Sequence, residues 1–80
     1  MKIKTALITG GASGLGKRTA IELAGKGIQL IINYRRSEED ARKLVQYLNE
    51  NYGTENIAVC ADISRAEDCR ELVRKAQKFA

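Results

Sequence analysis

The sequence has no proline, no histidine and no tryptophan, only one phenylalanine and only two cysteines. Each absence narrows the field. Without histidine, and with Cys60 and Cys69 at no ligand spacing, no metal site is expected. The two cysteines are expected to be reduced core thiols, Cys60 in a buried strand and Cys69 on a buried helix face, as in a cytoplasmic protein. With few aromatics for base stacking, and basic residues scattered over several elements, nucleic acid is not the expected partner. No apolar run approaches the length of a membrane span or of a signal-peptide core. The absence of proline suits a chain made mostly of strands and helices.

What is present fits one small domain. A chain of 80 residues buries only about 60% of the surface that its unfolded form exposes, so its core is marginal. Charge is distributed unevenly. Residues 1–36 hold seven basic side chains against one acid, whereas residues 37–80 hold seven basic and nine acidic ones. The positive charge therefore accompanies a glycine-rich stretch, Thr9-Gly10-Gly11-Ala12-Ser13-Gly14-Leu15-Gly16. That stretch follows the apolar run Thr5-Ala6-Leu7-Ile8 and opens a helical pattern. A glycine turn between strand and helix lets the backbone approach an anion, and the helix N-terminus then offers unpaired N–H groups. A phosphate-bearing cofactor is the expected ligand.

The rest of the chain alternates. Ile3–Thr9 reads as a strand buried on both faces, because its apolar residues run continuously. Gly14 to about Ala24 reads as a helix, stopped by Gly25 or Gly27. Ile28–Asn33 is a second apolar strand. Ser37 is placed to cap a second helix, with Asp40 at the capping-box position and Gly53 at its end. Ala41, Leu44, Val45 and Leu48 give that helix an apolar stripe. Ile57–Ala61 is a third strand. Ser64 and Glu67 form a second capping box, and Cys69, Leu72, Val73 and Ala76 repeat the stripe. This order predicts an α/β fold: a Rossmann-type parallel three-stranded sheet in the order 3-2-1, helices on both faces, half of a doubly wound domain.

Three phosphate loops compete. Gly11, Gly16 and Lys17 match the first seven positions of a nucleoside-triphosphate loop, but Arg18 stands where a hydroxyl must meet magnesium. Thr19 comes one residue late, about 100° further round the helix. The general Gly-x-Gly-x-x-Gly spacing is not kept, and the second strand ends Asn33-Tyr34-Arg35-Arg36-Ser37 without the acid that would bind a ribose. The pattern Thr9-Gly10-x-x-x-Gly14-x-Gly16, with Asp62-Ile63 after the third strand, resembles the short-chain dehydrogenase/reductase family in its short form. The extended form has glycine where this chain has Ser13.

The resemblance spans the whole chain and implies roles. Gly10, Gly14 and Gly16 would shape the loop around ribose and pyrophosphate, and Ser13 and Leu15 would offer backbone groups to the phosphates and the nicotinamide end. Asp62 would accept from the adenine amino group with Ile63 beside the ring; the alternative role for Asp62 is capping the turn before the third helix. Tyr34 holds the position of an NAD-selecting acid, and Arg35, Arg36 and Ser37 could hold a 2′-phosphate. NADP(H) is thus the expected cofactor, with NAD(H) as the alternative.

The family's chemistry also needs a serine and a Tyr-x-x-x-Lys pair. Glu38, Asn51 and Asn56 stand four residues after Tyr34, Tyr47 and Tyr52, so none of the tyrosines qualifies and no catalytic residue is assigned. The Asn-Asn-Ala-Gly segment of the family is absent too. Residues 1–80 are therefore expected to be the N-terminal dinucleotide-binding segment of a longer reductase, truncated before a fourth strand and inactive alone. The longer protein would interconvert an alcohol and a carbonyl compound, as a homo-oligomer. A stand-alone binding or regulatory module is the alternative.

Overall fold

The computed structural model describes residues 4–10 and 14–79. The alternation seen in the sequence is realised as β1 (Thr5–Thr9), α1 (Gly14–Ala24), β2 (Gln29–Tyr34), α2 (Glu38–Tyr52), β3 (Ile57–Cys60) and α3 (Ala66–Phe79). All pairings are parallel, and β2 lies between β1 and β3. The expected strand order and fold class are those observed.

Side-chain alternation along β2 divides the molecule into two layers around the sheet. Leu30 and Ile32 face α1 and α2, where they meet Ala20, Ala24, Ala41, Leu44 and Leu48. Ile31 faces the other way, towards Val59, Ala61 and Leu72 of the α3 side. The first layer is the larger because two helices supply it. Leu48 is fully buried there, and its truncation to alanine costs about 3 kcal/mol.

The helix ends follow glycine. Gly27 adopts φ +81°, its N–H donates to Ala24 O at 2.9 Å, and the N–H of Ile28 donates to Leu23 O at 3.3 Å. That pair of bonds is a Schellman ending, which returns the chain to the sheet for β2. Gly53 ends α2 in the same left-handed region.

Several expectations need correction. β1 is not buried on both faces: Leu7 is 40% exposed, because among the described residues β1 is an edge strand and a groove is left open between Leu7 and Val73, Ala76 and Gln77 of α3. Cys60 is exposed rather than buried, since it ends the other edge strand. Val73 is half exposed, so the α3 stripe narrows to Leu72 with Ala76 and Phe79 packed beside it. Ser37 occupies the N-cap position of α2 but makes no side-chain cap; its carbonyl accepts from Ala41 N. Ser64 does not cap α3 either. The helix begins one residue later, with Arg65 O accepting from Cys69 N, and the Ser64 amide that a capping-box Glu67 would accept is bound by Asp62 instead.

Candidate functional site

Parallel strands bring their carboxyl ends together, and here they gather Gly10, Gly14, Arg35 and Asp62 on one rim. Gly10 (φ +62°) ends the β1 turn and Gly14 (φ +59°) opens α1. An added Cβ would meet nothing within 4 Å at either position. These glycines are therefore required by backbone conformation, and they leave open space through which a ligand can reach the backbone. The first turn of α1 contains no acidic side chain of its own to offset its positive dipole end. Ser13, with Gly11 and Ala12, lies outside the described residues.

The two residues after the site glycines behave differently. Leu15 is 80% exposed, while Gly16 is half-buried. Thr19 turns its hydroxyl back to donate to Leu15 O at 3.0 Å. That bond draws the Thr19 hydroxyl into the helix backbone, away from the place a magnesium ligand would occupy in a triphosphate loop. No group of potential metal ligands occurs among the described residues.

Asp62 is the most heavily engaged side chain of the rim. One carboxylate oxygen accepts from Ser64 N at 3.0 Å and from Ser64 Oγ at 2.6 Å, an Asx turn. The other lies 3.4 Å from Arg35 Nε. The Asp62 backbone N–H donates to Asp68 Oδ2 at 2.8 Å, which fixes the start of the turn. The Ser64 hydroxyl and amide hold the Asp62 carboxyl below its ordinary range; desolvation opposes them more weakly, and the charges of Arg35 and Arg65 add still smaller lowering effects. The group is a carboxylate, an acceptor only, across the neutral range.

Arg35 reaches Asp62 because β2 and β3 end in register, Tyr34 opposite Cys60. The Cys60 thiol points at Arg35 O, 3.7 Å away. Arg36 and Ser37 are exposed beside Arg35, and the Ser37 hydroxyl is not spent on capping. Tyr34 instead packs its ring against the α1–α2 core; desolvation and the nearby Glu38 carboxylate push its phenol up. Ile63 is half exposed between Asp62 and Ser64. A groove of about 660 Å³ between α1 and α2 is lined by Gly14, Lys17, Asp40, Lys43 and Tyr47 and touches the rim at Gly14.

Two contributors were missed in the sequence. Ser64 orients Asp62, and the Asp-x-Ser spacing was the available signal. Asn33, only 3% exposed, donates to Val59 O at 3.4 Å and Ala61 O at 3.2 Å, tying the ends of β2 and β3 together below Asp62. A polar residue in an otherwise apolar buried strand was its signal.

Comparison with known proteins accords with this geometry. The sequence pattern described as short chain dehydrogenase matches residues 4–79. A short-chain dehydrogenase/reductase homolog of Bacillus subtilis is 35% identical over 71 residues, 89% of this chain and 64% of that protein. A tetrahydroxynaphthalene reductase of Pestalotiopsis fici is 43% identical over 75 residues, 94% of this chain but 27% of that protein. Among solved structures, an alcohol dehydrogenase from the archaeon Thermococcus sibiricus, complexed with 5-hydroxy-NADP, superposes with TM-score 0.91 at 31% identity, covering 98% of this chain and 33% of that one. The chain thus spans between about a quarter and two-thirds of the length of the relatives it matches. The glycine turn, the parallel order and the match over residues 4–79 together place the chain in the short-chain dehydrogenase/reductase family.

Proposed function

We propose that residues 1–80 form the nucleotide-binding half of an NADP(H)-dependent oxidoreductase and hold the adenosine end of the cofactor. The observation that carries this reading is the meeting of Arg35 and Asp62, 3.4 Å apart, on the rim beside the open glycine turn. A guanidinium suited to a phosphate and a carboxylate suited to an exocyclic amine stand next to a helix N-terminus with no acid of its own. The complexes of relatives with NADP-type ligands support the same assignment.

The residues fit the cofactor and divide the work of binding it. Gly10 and Gly14 keep the turn bare, so that backbone N–H groups of α1 can face a pyrophosphate. Asp62, held ionised by Ser64, accepts from the adenine amino group, with Ile63 beside the ring. Arg35, with Arg36 and Ser37, takes the 2′-phosphate. When bound, the nicotinamide supplies hydride chemistry. Conversion of a carbonyl or alcohol substrate needs the serine and the Tyr-x-x-x-Lys pair of the family; that tyrosine–lysine spacing does not occur in these 80 residues.

Titration of the 80-residue chain with NADPH and with NADH, followed by the cofactor's fluorescence, tests the reading. Tighter binding of NADPH is expected, without turnover of added carbonyl compounds. Equal affinity for the two cofactors, in wild type and in Arg35→Glu alike, would remove the assignment of the 2′-phosphate to Arg35.

A further inference from the structure

The β3 edge of the sheet carries a second surface, unconnected with the nucleotide reading. In a parallel ladder, both backbone groups of a residue point to the same side. Ala61 N donates to Tyr34 O, so Ala61, Val59 and Ile57 address β2. Ala58 and Cys60 therefore direct their N–H and C=O groups outward, and no strand pairs with them among the described residues. A groove of about 610 Å³ runs along this edge. Its floor is Ile57, Val59 and Phe79 on the α3 side and Tyr34 and Ala58 on the α2 side.

Lys75 and Lys78 of α3 stand over the groove. Both are exposed, and neither forms an ion pair among the described residues. Elsewhere on the helices, Arg42, Lys43 and Arg74 each pair with a glutamate of their own helix. The two lysines thus place positive charge along an unpaired strand, and Glu71, one turn before Lys75, is engaged by Arg74. A second copy of the chain would bring the same two lysines to the edge, so self-pairing is opposed by like charge. An acidic partner is favoured by it.

We propose that the β3 edge is a docking site for an extended acidic peptide segment of another protein, which adds to the sheet as a fourth strand. Side chains of an added strand alternate between the two faces. Those on the α3 face meet Lys75 and Lys78 and are acidic; those on the α2 face meet Ala58 and Tyr34 and are small or apolar. Backbone bonds to Ala58 and Cys60 supply the pairing, and the lysines supply the choice of partner.

The test uses the ¹⁵N-labelled 80-residue chain and the probe peptide acetyl-Glu-Val-Glu-Val-Glu-amide, with acetyl-Lys-Val-Lys-Val-Lys-amide as the control. The acidic peptide is expected to shift the amide signals of Ala58 and Cys60 and to slow their hydrogen exchange, while the basic peptide does neither. In the double variant Lys75→Glu/Lys78→Glu the acidic peptide should bind about tenfold more weakly and the basic peptide should bind instead. The remaining amide signals check that the variant is folded, and Lys75→Gln/Lys78→Gln serves if it is not. No shift at Ala58 and Cys60 up to about 1 mM peptide, an equal response to both peptides, or shifts confined to the Arg35–Asp62 rim would each overturn the proposal.

Discussion

The two ends of the same sheet hold two polar clusters built to opposite standards. At the amino ends of the strands, Asn56 is 5% exposed and its side chain is fully used. Its Oδ1 accepts from Leu30 N at 2.8 Å, and its Nδ2 donates to Asn49 Oδ1 and Thr54 Oγ1 at 2.8 and 2.9 Å. Leu30 N faces β3, which has not yet begun at that level, so a side chain supplies the acceptor that the ladder lacks. At the carboxyl ends, Arg35 and Asp62 form a looser pair, with the Arg35 side chain 60% exposed. A buried cluster with every partner in place stabilises the fold; an exposed, loosely paired one can exchange partners with a ligand.

The largest expected effect lies at the amino end. Asn56→Ala strips Leu30 N of its acceptor and removes the side-chain bonds to Asn49 and Thr54, leaving Asn49 Oδ1 only the backbone N–H of residue 56. A buried unsatisfied donor together with the lost bonds costs about 3 kcal/mol, a large share of the stability of so small a domain. Urea unfolding measures it. The comparison breaks if Asn56→Ala unfolds with the wild-type midpoint, or if Arg35→Glu is destabilised as much.

The next effect belongs to the carboxyl end and should appear in binding rather than in stability. Removing one charge-assisted bond to a 2′-phosphate by Arg35→Glu weakens NADPH about 10- to 100-fold, with NADH nearly unchanged. The exposed pair with Asp62 contributes little to folding, so the unfolding midpoint should barely move. A mutant that loses both cofactors equally would mean that Arg35 shapes the rim and does not select the phosphate.

A smaller effect comes from Gly14. Its φ of +59° costs a residue with a Cβ about 1 kcal/mol, although the added atom meets no neighbour. Gly14→Ala should therefore lower stability modestly and lower nucleotide affinity further, because the methyl group enters the open space before α1. Calorimetry of binding and of unfolding on the same sample separates the two losses.

How far the sequence revealed this division depends on the range of each interaction. Periodicity is local, and it located the strands and helices; the sheet order followed from their alternation and the topology that it implies. Glycine stops are local too: Gly27 and Gly53 end their helices as their backbone freedom dictates. The Ser64–Glu67 box misled because two acceptors compete for one donor, the Ser64 amide. Ser64 was read against Glu67, whereas Asp62, two residues before it, takes both its amide and its hydroxyl. The stripe on α3 was read too wide at Val73, since a helical pattern cannot say how far the opposing sheet extends. Arg35 and Asp62 were each singled out, but their contact depends on the register of β2 against β3, which brings together residues 27 positions apart. Asn56 escaped notice for the same reason. In the sequence it is a polar residue in a linker, and only the strand pairing exposes the unanswered N–H of Leu30.

The smallest effect separates the two charges of the carboxyl end by pH. The Asp62 pKa is lowered in the folded chain, first by the Ser64 hydroxyl and amide and then by Arg35. A lowered carboxyl pKa stabilises the fold above the unfolded pKa, and the contribution is lost as pH falls through the folded value. The loss is therefore confined below about pH 4, and between pH 5 and 8 Asp62 does not change state. A bound 2′-phosphate does change there, since a phosphate monoester gains a proton near pH 6. Affinity for NADP⁺ should consequently weaken as pH falls through about 6, and the slope should vanish in Arg35→Gln but persist in Ser64→Ala. Carboxyl ¹³C titration supplies the matching control: Ser64→Ala should raise the Asp62 midpoint more than Arg35→Gln does, because the serine bonds are the larger cause of its depression. If the pH slope instead followed Ser64, Asp62 would be the titrating group that governs binding, and the 2′-phosphate would not be the ligand of Arg35.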